Sequence, residues 1–377
     1  MHAQIRLGRI GGISIGLHYS WFIIAFLIIL SLIARFSTVM PQWSSATVWT
    51  AAIITGLLFF VTLLLHELAH SLLAKSIGLR VRAITLFALG GVSQIESEAP
   101  DAKSEFWIAI VGPLSSLVIG FVCLLLARST GWMYNGEPRT PVSAVLVWLG
   151  YINLVLAAFN MIPGYPLDGG RVLRALIWWG TKSIDRSTRI AAKVGQTVAF
   201  LFIFFGLYQF FLGKNFGGLW LAFIGWFLLD ASRSSYAQVE ITEGLRDRKV
   251  ADIMDRDFAT VEAHLSLEDF VHQYLLVSGR RCFVVVQNGN LAGLITTNEV
   301  RRVEKDRWPQ TSVQSVMRPL SQLQTVTPDT AAITALEVMT RQDINQLPVV
   351  SSGQLLGIVS RSSVMAFLHN RAELFKH

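Results

Sequence analysis

The chain has 377 residues, of which 52% are hydrophobic and only 15% charged, against about 25% charged in an ordinary soluble domain. That balance excludes a wholly soluble protein, and the length allows a membrane domain with one soluble module. The formal net charge of +7 gives no case for nucleic acid as a partner, because much of it lies in connections between apolar runs, the pattern of the positive-inside bias.

Six apolar runs are candidates to span a membrane: Tyr19–Phe36, Thr47–Ile77, Phe106–Ala127, Val142–Met161, Gln196–Gly213 and Gly218–Ala231. A span needs about 20 residues, so the second is longer than necessary and the last is short. The first follows Arg6 and Arg9 and ends without a small-residue cleavage motif, which reads as a retained helix. The stretch Ser37–Ala46 has no Lys or Arg, and the connections near Arg139 and Lys214 are nearly neutral. The connection after the second run carries Lys75, Arg80, Arg82 and Lys103, and that after the fourth carries Arg171, Arg174, Lys182, Arg186, Arg189 and Lys193. The expectation is an integral membrane protein with both termini in the cytoplasm.

The second run ends in His66-Glu67-Leu68-Ala69-His70. Ionisable groups in an apolar helix are expensive and mark a functional site. Residues i and i+4 share a helix face, so His66 and His70 can offer two imidazoles to one metal ion. Glu67 flanks that face, where it could take a proton from a water the metal activates. Facing lipid, the three groups would cost several kcal/mol together, so they are expected to face the protein interior.

Next comes Val81–Ile95, rich in β-branched residues with Gly90-Gly91 near its middle, which predicts a strand–turn–strand. In the third run, Gly112, Ser115, Ser116 and Gly120 are small residues that permit close helix packing, the favoured explanation for them. The fourth run is followed by Pro163, Gly164 and Pro166, which break the helix. Irregular backbone at membrane depth is tolerated only where it is buried or lines a cavity.

A catalytic zinc site wants three protein ligands and an open position. The membrane part has only His2 and His18 besides the motif pair, so a carboxylate is expected as third ligand, and Cys123, in an apolar stretch, is a poor candidate. Glu96 sits in an acidic stretch that reads as a solvated loop, and Asp230 reads as an interfacial residue. Asp168 is favoured because the broken helix lets it turn inward; its plainer role is an N-cap for the following helix.

From Val250 the hydrophobic runs shorten and an internal repeat appears, with Phe283–Thr296 matching Leu347–Ser360 at a constant offset of 64. Each unit reads as strand, helix, strand–turn–strand, helix. This tandem resembles a pair of cystathionine-β-synthase-type (CBS) domains. The expected organisation is a membrane domain over 1–236, a linker over 237–249 and repeats over 250–310 and 311–370. The fold class is thus a polytopic α-helical membrane protein of about six transmembrane helices with a small membrane-associated β hairpin, plus a soluble α/β CBS pair. The cysteines, Cys123 in an apolar run and Cys282 in the tail, imply no disulfide framework.

Most of the first 235 residues resemble the site-2 protease family, zinc metalloproteases that cut within the membrane. The resemblance rests on HELAH and on Asn160-x-x-Pro163-x-x-Pro166-Leu167-Asp168-Gly169, with Gly90-Gly91-Val92, Gly112-Pro113-Leu114 and the early Gly12-Ile13 and His18-Tyr19-Ser20-Trp21 as further signatures. It implies that His66, His70 and Asp168 hold one zinc ion and that Glu67 is the catalytic base. Asn160 would bind the substrate backbone, with Gly90 and Gly91 beside it. The implied substrate is a transmembrane segment of a membrane-anchored regulatory protein, in a bacterial plasma membrane. Several members carry a CBS pair, which would bind an adenine nucleotide, gate the protease or form a homodimer. The nucleotide-binding units of CBS proteins often have Thr or Ser followed three residues later by Asp; here Thr296 is followed by Glu299 and Ser360 by Ser363, a departure that weakens the ligand assignment. Two rivals are a CBS-regulated transporter, which leaves HELAH and Asp168 unexplained, and a catalytically silent scaffold, which has no need of Glu67.

Overall fold

The computed structural model describes residues 4–95, 97–133, 136–138, 140–352 and 354–374. It divides into two compact units, Met1–Val239 and Glu240–His377.

The first unit begins with strands β1 (Ile5–Ile10) and β2 (Ile13–Leu17), then helices α1 (Ser20–Val39) and α2 (Ser45–Ser76). Strands β3 (Val81–Phe87) and β4 (Gly90–Ile95) follow, then α3 (Ala102–Ser129), α4 (Pro141–Asn160), α5 (Asp168–Thr181), α6 (Ile184–Phe211) and α7 (Gly217–Leu245), whose last six residues fall in the second unit. Among the described residues five helices, α1, α2, α3, α4 and α6, are long and apolar enough to cross a membrane. The sixth expected run is the first half of α7, which also carries Asp230 and Arg233 and is not among the five. On α1, Phe22, Ile23, Phe26 and Leu27 are all exposed, the surface expected of a helix solvated by lipid rather than water. The 32 residues of α2 extend about 48 Å at about 1.5 Å each, well beyond the roughly 30 Å of a hydrocarbon core.

Local signals set the helix limits. The Ser44 side chain accepts from the Thr47 N–H at the start of α2, and Asp101 accepts from the Ser104 N–H at the start of α3, each satisfying an orphan donor. That bond and a second from Ser104 Oγ, at 3.0 Å, hold the Asp101 carboxyl below its usual range. Thr140 and Ser143 form a reciprocal capping box with Pro141 in the first turn of α4. Beyond Asn160 the chain is irregular until Asp168. That break is packed backbone to backbone: a Cβ on Gly195 of α6 would overlap the Tyr165 carbonyl, and one on Gly170 would overlap the Gly164 backbone. Leu167 is the N-cap residue of α5 and Asp168 lies one position inside, so the capping role open to Asp168 is not the one it takes.

The four strands of this unit form one sheet in the order β1-β2-β3-β4. β3 and β4 pair antiparallel, while β2 lies parallel to β3 and brings the N-terminal hairpin into the sheet. Sequence reasoning had no place for β1 and β2. Ile13, Ile15 and Leu17 of β2 are buried with Ile84 and Leu86 of β3, so β2 fills the centre and leaves β4 as an edge.

The second unit holds a four-stranded sheet, β5 (Thr260–Glu262), β6 (Cys282–Gln287), β7 (Asn290–Thr296) and β8 (Arg318–Pro319), and a two-stranded one, β9 (Gln346–Ser351) and β10 (Gln354–Ser360). The two hairpins repeat each other in detail. Asn288 and Ser352 occupy equivalent turn positions with φ of 53° and 51°, which short polar residues tolerate. Leu294 pairs with Arg318 in one and Ile358 bridges to Asp255 in the other. Gly293 and Gly357 are required at the same place, since a Cβ would overlap the Arg318 backbone in one case and crowd the Asp255 carbonyl in the other. Each repeat has its own core, one around Phe270, Phe283 and Ile295 and one around Met339, Leu347 and Val359.

Candidate metal centre

His66 and His70 stand one turn apart on α2, both buried, with their rings edge to face and centroids 4.9 Å apart. Asp168 arrives from the first turn of α5. Its Oδ2 lies 3.1 Å from His66 Nε2 and 3.2 Å from His70 Nε2, and the two Nε2 atoms are 3.2 Å apart. Three donor atoms at the corners of a near-equilateral triangle fit one small ion. A tetrahedral zinc with ligands at about 2.0–2.1 Å separates its donors by roughly 3.3 Å. Among the described residues this is the one group of three or more such side chains that could converge on an ion.

The far side of each imidazole is also fixed. His70 Nδ1–H donates to the Ile108 carbonyl at 2.5 Å. A carbonyl can only accept, so a neutral His70 keeps its Nε2 lone pair for the metal. His66 Nδ1 lies 2.9 Å from Ser116 Oγ. A Cβ on Gly112 would overlap the His70 ring, so this glycine admits the imidazole between α2 and α3. Such outer partners orient metal ligands and set their basicity. The sequence explains Gly112 and Ser116 as helix packing; in the fold they also shape the site. What marks them is their spacing along α3, with Ile108, Gly112 and Ser116 on one face.

The Glu67 carboxylate lies against β4. Ser93 Oγ donates to Glu67 Oε2 at 3.0 Å, and Ser71 Oγ donates in turn to Ser93 at 3.0 Å. The Gly91 backbone lies flat against the carboxylate, where a Cβ would overlap Glu67 Cγ. Gly90 differs: its φ is +142° and the space around it is open. Asn160 is the last residue of α4 and half-buried.

A cavity of about 340 Å³ adjoins the site, lined among others by Ser93, Glu98, Glu105, Ile108, Arg171 and Arg174. It meets the Glu67 partner on one wall and the His70 partner on another. Arg171 and Arg174, counted from sequence among loop charges, lie instead on α5 and pair with Glu105 of α3. Asp230 is exposed on α7 and outside the triangle, Glu96 lies outside the described residues, and Cys123 is half-buried and free.

In the second unit, Thr296 and Glu299 form a reciprocal capping box, and the buried Glu299 carboxylate also accepts from Arg318 Nε at 2.8 Å. The Ser360 N–H donates to Ser363 Oγ at 2.9 Å and the Ser363 N–H to Ser360 Oγ at 3.0 Å. Both pairs considered for a nucleotide thus serve as helix caps, and the Glu299 carboxylate is already committed.

Residues 54–134 and 133–205 match the family model described as peptidase family M50, and residues 250–306 and 313–370 each match the CBS domain. The Synechocystis sp. protein sll0528 is 33% identical over 99% of this chain and 97% of its own length. Zinc metalloprotease MJ0392 of Methanocaldococcus jannaschii is 31% identical over 99% of each. Among solved structures, the site-2 protease from Methanocaldococcus jannaschii is 33% identical, covers 62% of this chain and 94% of its own, and superposes with a TM-score of 0.42.

Proposed function

Because the chain belongs to peptidase family M50, the site-2 proteases, and carries a CBS pair, we propose that it is a zinc-dependent endopeptidase that cuts a transmembrane segment of another protein. The observation that carries this is the triangle of His66 Nε2, His70 Nε2 and Asp168 Oδ2 with sides of 3.1–3.2 Å. These three residues hold the metal. When bound, zinc lowers the pKa of a coordinated water and polarises the scissile carbonyl.

The chain's own residues do the rest. Glu67 takes the proton of the attacking water and returns it to the leaving nitrogen; Ser93 and Gly91 hold its carboxylate in place. The polar cavity beside Ser93 and Ile108 supplies water. A transmembrane helix must unwind before its peptide bonds can be reached, and the freed backbone groups then need partners. β4 is a sheet edge lying against Glu67, which supports strand addition there, with Gly90, Gly91 and Asn160 facing the substrate backbone. The charges after α2 and in the α5–α6 region support a cytoplasmic location for both termini and the CBS pair. The substrate class is a membrane-anchored regulatory protein, and the CBS pair gates access through an adenine nucleotide or through dimerisation.

The test is cleavage of single-span substrates by purified protein, wild type beside Glu67→Gln, with zinc determined on both. Zinc on both and cleavage by wild type alone is the expected result, with a loss of about 10²–10⁴-fold in the variant. No zinc on either would remove the central assignment. Backbone N-methylation of the substrate at alternate positions should abolish cleavage if pairing with β4 is used, and unchanged cleavage would rule that pairing out.

A further inference from the structure

Glu105 is 1% exposed, in the first turn of the apolar helix α3. It accepts from Arg171 Nε at 3.0 Å and Arg171 Nη2 at 3.3 Å, and from Arg174 Nη2 at 2.6 Å. Arg174 also lies 3.5 Å from Glu98 and places its guanidinium over the Tyr165 ring at 5.6 Å. Four segments therefore meet around the Glu105–Arg174 pair: α3, α5, the β4–α3 connection and the break between α4 and α5. Burying these charges costs desolvation that their attraction barely offsets, so the cluster is weak as a source of stability. What it does fix is the position of α5 along α3.

That position governs the metal triangle. Both imidazoles are oriented from α3, by Ile108 and Ser116, and Ile108 is one turn beyond Glu105. The carboxylate corner comes from α5, with Asp168 one turn before Arg171. The two helices are tied at their polar ends by the two-pronged Glu105–Arg171 contact, whose planar geometry a point charge cannot reproduce. We infer that Glu105 is a positioning residue that sets Asp168 against the two histidines through Arg171 and Arg174. The inference rests on the zinc assignment above and extends it to a residue that touches neither metal nor substrate.

The experiment is a double-mutant cycle on zinc affinity, read by chelator competition on the full chain in detergent: wild type, Glu105→Gln, Asp168→Asn and the double variant. Glu105→Gln should weaken zinc binding about 10- to 100-fold, the range for residues that orient metal ligands. In the Asp168→Asn background the same substitution should add nothing, since there is no carboxylate left to position. Wild-type affinity in Glu105→Gln, or an equal loss in both backgrounds, would overturn the role. A wild type that binds no zinc would instead overturn the metal assignment itself. Should Glu105→Gln fail to fold, Arg171→Lys keeps the charge but loses the fork. Its expected loss is smaller and also vanishes without Asp168; a loss that persists there counts against the inference.

Discussion

Glu105 and Glu299 are both buried acids held by arginine, at 1% and 2% exposure, yet they are embedded in opposite ways. Glu299 spends most of its bonding on its own helix start, with Thr296 three residues away, and its arginine keeps a side chain 44% exposed. The repeat also contains its own control: at the equivalent place the second copy has Ser363, which closes the cap without a charge. Glu105 has no such understudy. Its partners are 66 residues away for Arg171, Arg174 is almost fully covered, and the contact ties α5, which carries one corner of the metal triangle, to α3, which holds the two imidazoles of the others. One acid finishes a local structure that folds by several means; the other joins parts that nothing local brings together.

The contrast is broken or sharpened by substitutions in each unit. The largest effects belong to the first. Gly112→Ala sets a Cβ into the His70 ring, and the imidazole must leave its place; zinc affinity should fall at least as far as the roughly 10- to 100-fold expected for a displaced orienting partner, measured by chelator competition. Gly91→Ala meets Glu67 instead, so cleavage should drop while zinc stays bound, and zinc loss in that variant would mean that base and metal sites are not separately built. Glu299→Ser copies the second repeat into the first. It should lower protection of the 282–300 segment in hydrogen exchange by about 1–2 kcal/mol, the scale of a cap and a charged hydrogen bond, and leave zinc affinity unchanged. A collapse of the whole second unit would show that Glu299 is no more replaceable than Glu105.

The smallest effect concerns Cys282, whose thiol burial and, next, the Glu299 charge push up to about 12. Folded protein at pH 8 therefore holds it as the thiol, and since the thiolate is the nucleophile, alkylation should follow unfolding. Rapid labelling under native conditions would place Cys282 outside the core of its repeat.

The same distinction explains what could be read from the chain. HELAH declared itself because both histidines lie on one helix, and the tandem repeat because its copies still resemble each other. Asp168 was reached because Pro163 and Pro166 interrupt an apolar run. The partners of the histidines were not legible: Ile108 and Ser116 are 38 and 50 residues from the side chains they orient, and a backbone carbonyl has no signature in sequence. Arg171 and Arg174 misled for a related reason, since a charge near the end of an apolar run looks the same whether it meets water or a buried acid. β1 and β2 escaped because they are short, six and five residues, and each is interrupted by a glycine, Gly8 and Gly16.

The two hairpins of the second unit are near copies, and a chain that contains near copies can pair them wrongly. Leu294 belongs beside Arg318 and Ile358 beside Asp255. Exchanging the hairpins would leave apolar side chains at most equivalent places, although Leu347 would stand where Phe283 meets the Phe270 ring. It would also set Glu299 next to Asp255, acid against acid, and strand Arg318 beside Ser363. Charge would thereby favour the right assembly over the exchanged one, a consequence that exists only because the unit was made twice.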